Sequence, residues 1–138
     1  MHNDIYGIKK WGDDILEVLD NGNIGLKNPF HPSNPPTDLI KIVKSLNERG
    51  ISCPVLLRVT DYLAFRIKQI NESFFKAIKE VRYKGYYKGV FPVKVNQQAQ
   101  VIDRIVDFGK EFDFGLEVGS KPELLIALAH DLSSESTI

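Results

Sequence analysis

Cysteine is almost absent: Cys53 is the single one in 138 residues, so no internal disulfide framework exists and a reducing compartment fits. Net charge is absent too. Eighteen basic residues cancel eighteen acidic ones, which removes any global attraction to nucleic acid or anionic lipid. No apolar run approaches the ~20 residues of a membrane span, and the first ten residues lack the apolar stretch of a signal peptide. These absences lead us to expect a soluble, cytoplasmic chain. The familiar site motifs are also missing: no G-x-G-x-x-G, no P-loop, no paired cysteines and no H-E-x-x-H. His2, His31 and His130 are far apart and lack metal-ligand spacing. Asn71-Glu72-Ser73 matches a glycosylation sequon, but helical periodicity surrounds it, so it is discounted.

What is present suffices for a core. Apolar residues make up 43% and charged residues 26% of a chain long enough for one ordinary domain. Two apolar runs, 15–19 and 24–26, flank Asp20-Asn21-Gly22-Asn23, and Asn-Gly favours the positive φ of a hairpin turn. Residues 28–36 hold four of the seven prolines and read as a linker or extended surface segment. From Thr37 the pattern is regular. Leu39, Ile40, Val43 and Leu46 have helical spacing, with Thr37 as the cap and Gly50 as the stop. Residues 54–59 form a short, nearly continuous apolar run, as in a parallel strand buried on both faces.

Leu63, Ile67, Ile70, Phe74, Ile78 and Val81 mark one long helix face. Residues 87–95 read as a second strand, Val101, Ile102, Ile105 and Val106 as a helix ending at Gly109, and 112–118 as a third strand. Ser120-Lys121-Pro122-Glu123 combines a capping box with a proline at the helix start. This alternation predicts an α/β fold with parallel βα units. Three units do not distinguish an open sheet from part of a barrel, which needs about 250 residues when complete. The expected division is 1–36, hairpin and linker, and 37–138, the βα region.

Lys94 is the residue with the most chemistry to offer. Strand alternation groups it with Val90 and Pro92 on one face, near the carboxyl end of an apolar strand. Ligands of α/β folds bind beyond those ends. A lysine in apolar surroundings there can form a Schiff base with an aldehyde. A lone lysine at a strand end more often only reaches out to water.

A resemblance changes that balance. Gly89-Val90-Phe91-Pro92-Val93-Lys94-Val95-Asn96-Gln97-Gln98 resembles the cofactor-lysine segment of biosynthetic arginine decarboxylases. These are pyridoxal-phosphate enzymes of the alanine-racemase-like group. Tyr6-Gly7-Ile8, Trp11-Gly12, Glu48-Arg49-Gly50, Pro54-Val55-Leu56-Leu57-Arg58 and Phe114-Gly115-Leu116-Glu117-Val118-Gly119-Ser120 resemble the start of that family in the same order. The resemblance implies an N-terminal hairpin segment followed by the first three βα units of an incomplete (β/α)₈ barrel. It implies pyridoxal phosphate on Lys94, with Glu117 positioning or tuning that lysine; the residues alone equally allow a polar strand end at 117.

The activity implied is conversion of L-arginine to agmatine and carbon dioxide in polyamine synthesis, with magnesium associated and a homo-oligomeric full-length form. The family places its pyridine-nitrogen partner and phosphate cradle in segments outside residues 1–138. The chain is therefore expected to be a fragment without activity by itself, with open sheet edges that favour self-association. Alternatives are another enzyme of the group, an amino-acid racemase or a different basic-amino-acid decarboxylase, and a non-catalytic interaction protein. Asn96 and Gln97 could line the site mouth or form a surface loop. Ser120 is read as a cap, Arg58 as an ion-pair or dimer-surface residue, Phe74 and Phe75 as core and rim, and Trp11 as a packing anchor.

Overall fold

The computed structural model describes residues 5–138, so His2 lies outside the described residues. The chain divides into two compact units, the first ending at Asp61 and the second starting at Tyr62.

In the first unit a short helix, α1 (Ile8–Trp11), precedes the hairpin of β1 (Leu16–Val18) and β2 (Ile24–Leu26). The strands pair antiparallel, with Leu16 opposite Leu26 and Val18 opposite Ile24. Gly22 alone supplies the positive φ, at 82°, and its N–H closes the turn on the Leu19 carbonyl at 2.9 Å. The Asn21 side chain accepts from the Asn23 N–H at 3.0 Å, the Asx contact that makes this residue a turn former. Past the proline-rich segment the chain returns to the same sheet. There β3 (Thr37–Asp38) pairs with β2, giving the order β1-β2-β3.

Helix α2 (Leu39–Glu48) is capped by Asp38, not by Thr37 as the sequence suggested. The carboxylate of Asp38 accepts from the N–H groups of Ile40 and Lys41, which a threonine one residue earlier is not placed to do. Its second oxygen accepts from the side chains of Asn21 and Asn23, at 3.2 and 2.8 Å. The Asn23 bond, seconded by the Asn21 and backbone bonds, holds the Asp38 carboxyl below its ordinary pKa. The half-buried face of α2 is Leu39, Ile42, Val43 and Leu46; Ile40 turns outward. Gly50 stops the helix with φ 78°, and the Ile51 N–H reaches back to Leu46.

Residues 54–59, expected as a buried strand, belong to neither sheet. Leu56 is 75% exposed, and Leu57 and Val59 are also open to solvent. A strand apolar on both faces gains from ladder bonds and from cover on each side. Within this unit the segment has no place in the sheet and little cover. The expectation of three paired parallel strands is thereby reduced to two.

The second unit takes up within α3 (Thr60–Glu80) and contains β4 (Val90–Pro92), α4 (Ala99–Gly109), β5 (Gly115–Glu117) and α5 (Lys121–Leu128). Strands β4 and β5 pair in parallel, with Pro92 opposite Glu117, and α4 connects them. This βαβ element surrounds a core of Ile67, Val93, Ile102, Ile105, Val106, Phe114, Leu116 and Ala127. Apolar positions at helical spacing account for α4, whose Ile102, Ile105 and Val106 are all buried.

Helix α3 departs from its expected face. It buries Ile67 and Asn71, while Ile70, Phe74 and Val81 stay exposed. Asn71 is fully buried and its amide donates to the Ile67 carbonyl at 2.8 Å, so the sequon is closed to modification. Phe74 is not core either; it stacks on Tyr87 with ring centroids 3.9 Å apart. The C-terminal residues fold back beside β5. The Leu116 N–H donates to the Thr137 carbonyl at 3.0 Å, Ser133 bonds Asp113, and Lys88 bonds the Glu135 carbonyl. The edge of β5 away from β4, expected to be open, is thus partly covered. Gly115 makes this approach possible, since a Cβ there would lie 1.9 Å from the Thr137 oxygen.

Candidate active site

Parallel pairing decides what stands next to Lys94. Strand β4 ends at Pro92, and residues Val93–Val95 form a 3-10 turn in place of the longer strand that the sequence suggested. Proline gives no ladder donor, which favours an early end to the pairing. The strand alternation that grouped Lys94 with Val90 and Pro92 therefore fails. The turn sends Val93 into the core, fully buried, and leaves the Lys94 side chain 63% exposed.

Because Pro92 lies opposite Glu117, the turn carries the Lys94 amine to the carboxyl end of β5. Its Nζ donates to Glu117 Oε1 at 3.3 Å. The other carboxylate oxygen, Oε2, is buried and has no partner among the described residues. The apolar surroundings expected for the amine are not found within this unit; its partner is a carboxylate. An exposed pair of this kind contributes about 0–1 kcal/mol to stability, so its geometry matters more than its energy.

The loop after β5 frames the same spot. Ser120 caps α5, accepting from the Glu123 N–H and donating to Glu123 Oε1 at 3.0 Å. Pro122 is the second residue of the helix. Glu123 Oε2 accepts from the Gly119 N–H at 2.8 Å. That bond, then the one from Ser120, holds the Glu123 carboxyl below its ordinary pKa, and the Lys94 charge acts in the same direction.

No family model matches the chain. Over 124 residues it is 50% identical to the biosynthetic arginine decarboxylase of Prochlorococcus marinus (strain MIT 9301), covering 90% of this chain and 19% of that protein. With the biosynthetic arginine decarboxylase of Gloeobacter violaceus the identity is 46% over 126 residues, 91% of this chain and 19% of the relative. The crystal structure of the biosynthetic arginine decarboxylase SpeA from Campylobacter jejuni superposes with a TM-score of 0.82. There the identity is 35%, over 95% of this chain and 21% of that one. The chain is similar to an N-terminal part of biosynthetic arginine decarboxylase. It spans about a fifth of the length of the arginine decarboxylases it matches.

The remaining candidates scatter. Asn96 is half-buried and its side chain accepts from the Gln98 N–H at 3.1 Å, which shapes the entry to α4; Gln97 is exposed. Ser120 is the cap that the sequence indicated. Trp11 is 59% exposed within its unit, and its indole N–H donates to the Tyr6 carbonyl at 2.8 Å. Arg58 is exposed.

His31 is exposed, and His130 sits between Asp103 and the Ile126 carbonyl. Among the described residues no group of three or more His, Cys, Asp or Glu is placed to hold a metal ion. No helix among them is long and apolar enough to cross a membrane. Sequence reasoning assigned Glu123 to helix capping alone. The capping-box spacing located it, but only the β5–α5 loop shows that its carboxylate is buried and faces the Lys94 end of the sheet.

Proposed function

We propose that this chain supplies the cofactor-lysine region of a pyridoxal-phosphate-dependent arginine decarboxylase, which converts L-arginine to agmatine and carbon dioxide. One observation carries the reading. The exposed amine of Lys94 is held by Glu117 at the carboxyl ends of parallel strands, within a segment similar to biosynthetic arginine decarboxylases. The residues present fit the aldehyde end of the cofactor, in that a reachable primary amine is oriented by a carboxylate whose second oxygen still lacks a donor. When bound, the pyridoxal group supplies the electron sink for the bond broken at the substrate's α-carbon.

Lys94 is the group that holds the cofactor, and Glu117 fixes the direction of its amine. Glu117 Oε2 offers an acceptor for one further donor once the site is filled. Lys94 is the catalytic residue of this reading, and Glu117 is a positioning residue. The βαβ element is read as part of a (β/α)₈ barrel whose region begins near residue 37, in a cytoplasmic, homo-oligomeric enzyme of polyamine synthesis.

Borohydride reduction of the full-length form loaded with pyridoxal phosphate, followed by peptide mapping, is expected to place the pyridoxyl group on Lys94. An adduct on another lysine overturns the reading. Product analysis of the full-length form with L-arginine, L-ornithine and L-lysine tests the substrate, and agmatine is the expected product. The 138-residue chain assayed by itself is expected to form no agmatine above the rate of free cofactor.

A further inference from the structure

The first unit holds a cleft of about 730 Å³, a volume within the range of small-molecule sites. It contains none of the residues assigned to the candidate active site. One side of it is apolar, with Leu19 from the hairpin, Pro36 beyond it and Ile42 from α2, all half-buried. Gly25 fixes how closely these meet the sheet, since a Cβ there would lie 2.6 Å from Leu19 Cδ2 and 2.9 Å from Pro36 Cβ. The ring of Pro36 locks its φ, so this side needs little ordering when something binds.

The other side is one face of α2. Lys41, Ser45 and Arg49 follow at four-residue steps, the spacing of neighbours on a helix surface. Arg49 Nε donates to the Ser45 carbonyl at 3.2 Å, which folds the side chain back by one turn. The outer nitrogens of its guanidinium have no partner among the described residues, and Lys41 has no acidic partner among them. The Lys41 stem is about one turn long, so both charges can serve one anion above Ser45. The carboxylate of this cleft, Asp38, is 7% exposed and already accepts from Ile40, Lys41, Asn21 and Asn23. Two cations and a hydroxyl thus stand beside an apolar surface, with no acid left to pair them.

We propose that this cleft binds a small organic anion, its apolar body on Leu19, Pro36 and Ile42 and its carboxylate or phosphate head held by Arg49 and Lys41. The free outer edge of a guanidinium matches two oxygens of either head group, while the lysine adds charge without shape. A bare inorganic anion would leave the apolar side wet, and a neutral body would leave both cations unmatched. The site therefore reads both parts of its ligand. It does not rest on the reading of Lys94 given above.

Protection of Lys41 from trace acylation by acetic anhydride, read by peptide mass spectrometry on the full-length form, measures occupancy. Lys44 is the reference amine, exposed on the same helix and outside the cleft. Phenyl phosphate and benzoate are the probes for the two head groups. For ligands of this size half-occupancy is expected on the order of 1 mM, so about 10 mM of probe should slow Lys41 relative to Lys44 by about ten-fold. The probe that protects at the lower concentration identifies the preferred head. Arg49→Gln, an exposed change that leaves the core untouched, should cut the protection to about two-fold or less.

No protection by either probe overturns the proposal, as does protection that survives Arg49→Gln or falls equally on Lys44. Benzyl alcohol protecting as well as the anions would show that charge is not read, and overturns it. Inorganic phosphate matching phenyl phosphate would show the same of the apolar body. Poly-L-glutamate shielding Lys41 and Lys44 together, where the small probes fail, overturns it in favour of an acidic polypeptide.

Discussion

The two units of this chain are held together by different means. Among the described residues, Ile8 is the one buried apolar residue of the first unit, while eight belong to the second. The first unit relies on a carboxylate: Asp38 ties the hairpin turn, through Asn21 and Asn23, to the start of α2. The second closes a parallel strand pair over Ile102, Ile105 and Leu116. Polar hubs are directional and depend on pH, whereas apolar cores are neither, so the units should fail under different perturbations.

The sharpest break of this contrast is expected from Leu116→Ala. The residue is fully buried at the centre of β5, and its truncation should cost about 2–5 kcal/mol. Hydrogen exchange by segment should show the loss across 62–138, with 5–61 unaffected. A smaller effect is expected from Gly115→Ala. The added methyl group cannot coexist with the Thr137 carbonyl, so the tail should leave β5 at a cost of about 1–3 kcal/mol. Faster exchange of the Leu116 amide would report it, and unchanged exchange would show that the tail contact does not form.

Acid should act in the opposite direction on the pair of units. The folded-state pKa of Asp38 lies below its unfolded value, so its contribution is present above the unfolded value, about 3.9. It is lost as pH falls through the lower, folded value. Residues 5–61 should therefore lose protection on acidification below about pH 4, and Asp38→Asn should blunt that dependence. Glu123 also has a lowered pKa and gives the second unit a share of the same response, but its apolar core is independent of pH. Smallest of all is the expected stability effect of Glu117→Gln, at most about 1 kcal/mol for so exposed a pair. A large loss of stability there would mean that the Lys94–Glu117 contact is structural.

The legible parts of the fold were those with local causes. Asn21-Gly22 announced the hairpin, the spacing of Ile102, Ile105 and Val106 announced α4, and Ser120 with Glu123 announced the start of α5. Apart from the α2 cap, which falls on Asp38 instead of its neighbour Thr37, the failures involved residues whose state depends on distant partners. Apolar composition made 54–59 look like a strand, yet pairing and cover were not available within the unit. Phe74 and Ile70 fitted an apolar helix face, yet the buried positions were Ile67 and Asn71, because the core contacts only part of that face. Lys94 was picked out by its place in an apolar run and by resemblance. Its meeting with Glu117 depended on the register that sets Pro92 opposite Glu117.

By itself, the sequence determined where the chain turns, where four of its helices run and which lysine is the one to examine. Those features arise from φ preferences, side-chain periodicity and capping bonds within a few residues. Tertiary structure alone decided that the C-terminal residues cover β5 and that the Lys94 amine meets Glu117. Each of these depends on groups 20 or more residues apart in the chain, and their approach is set by strand register and core packing rather than by local preference.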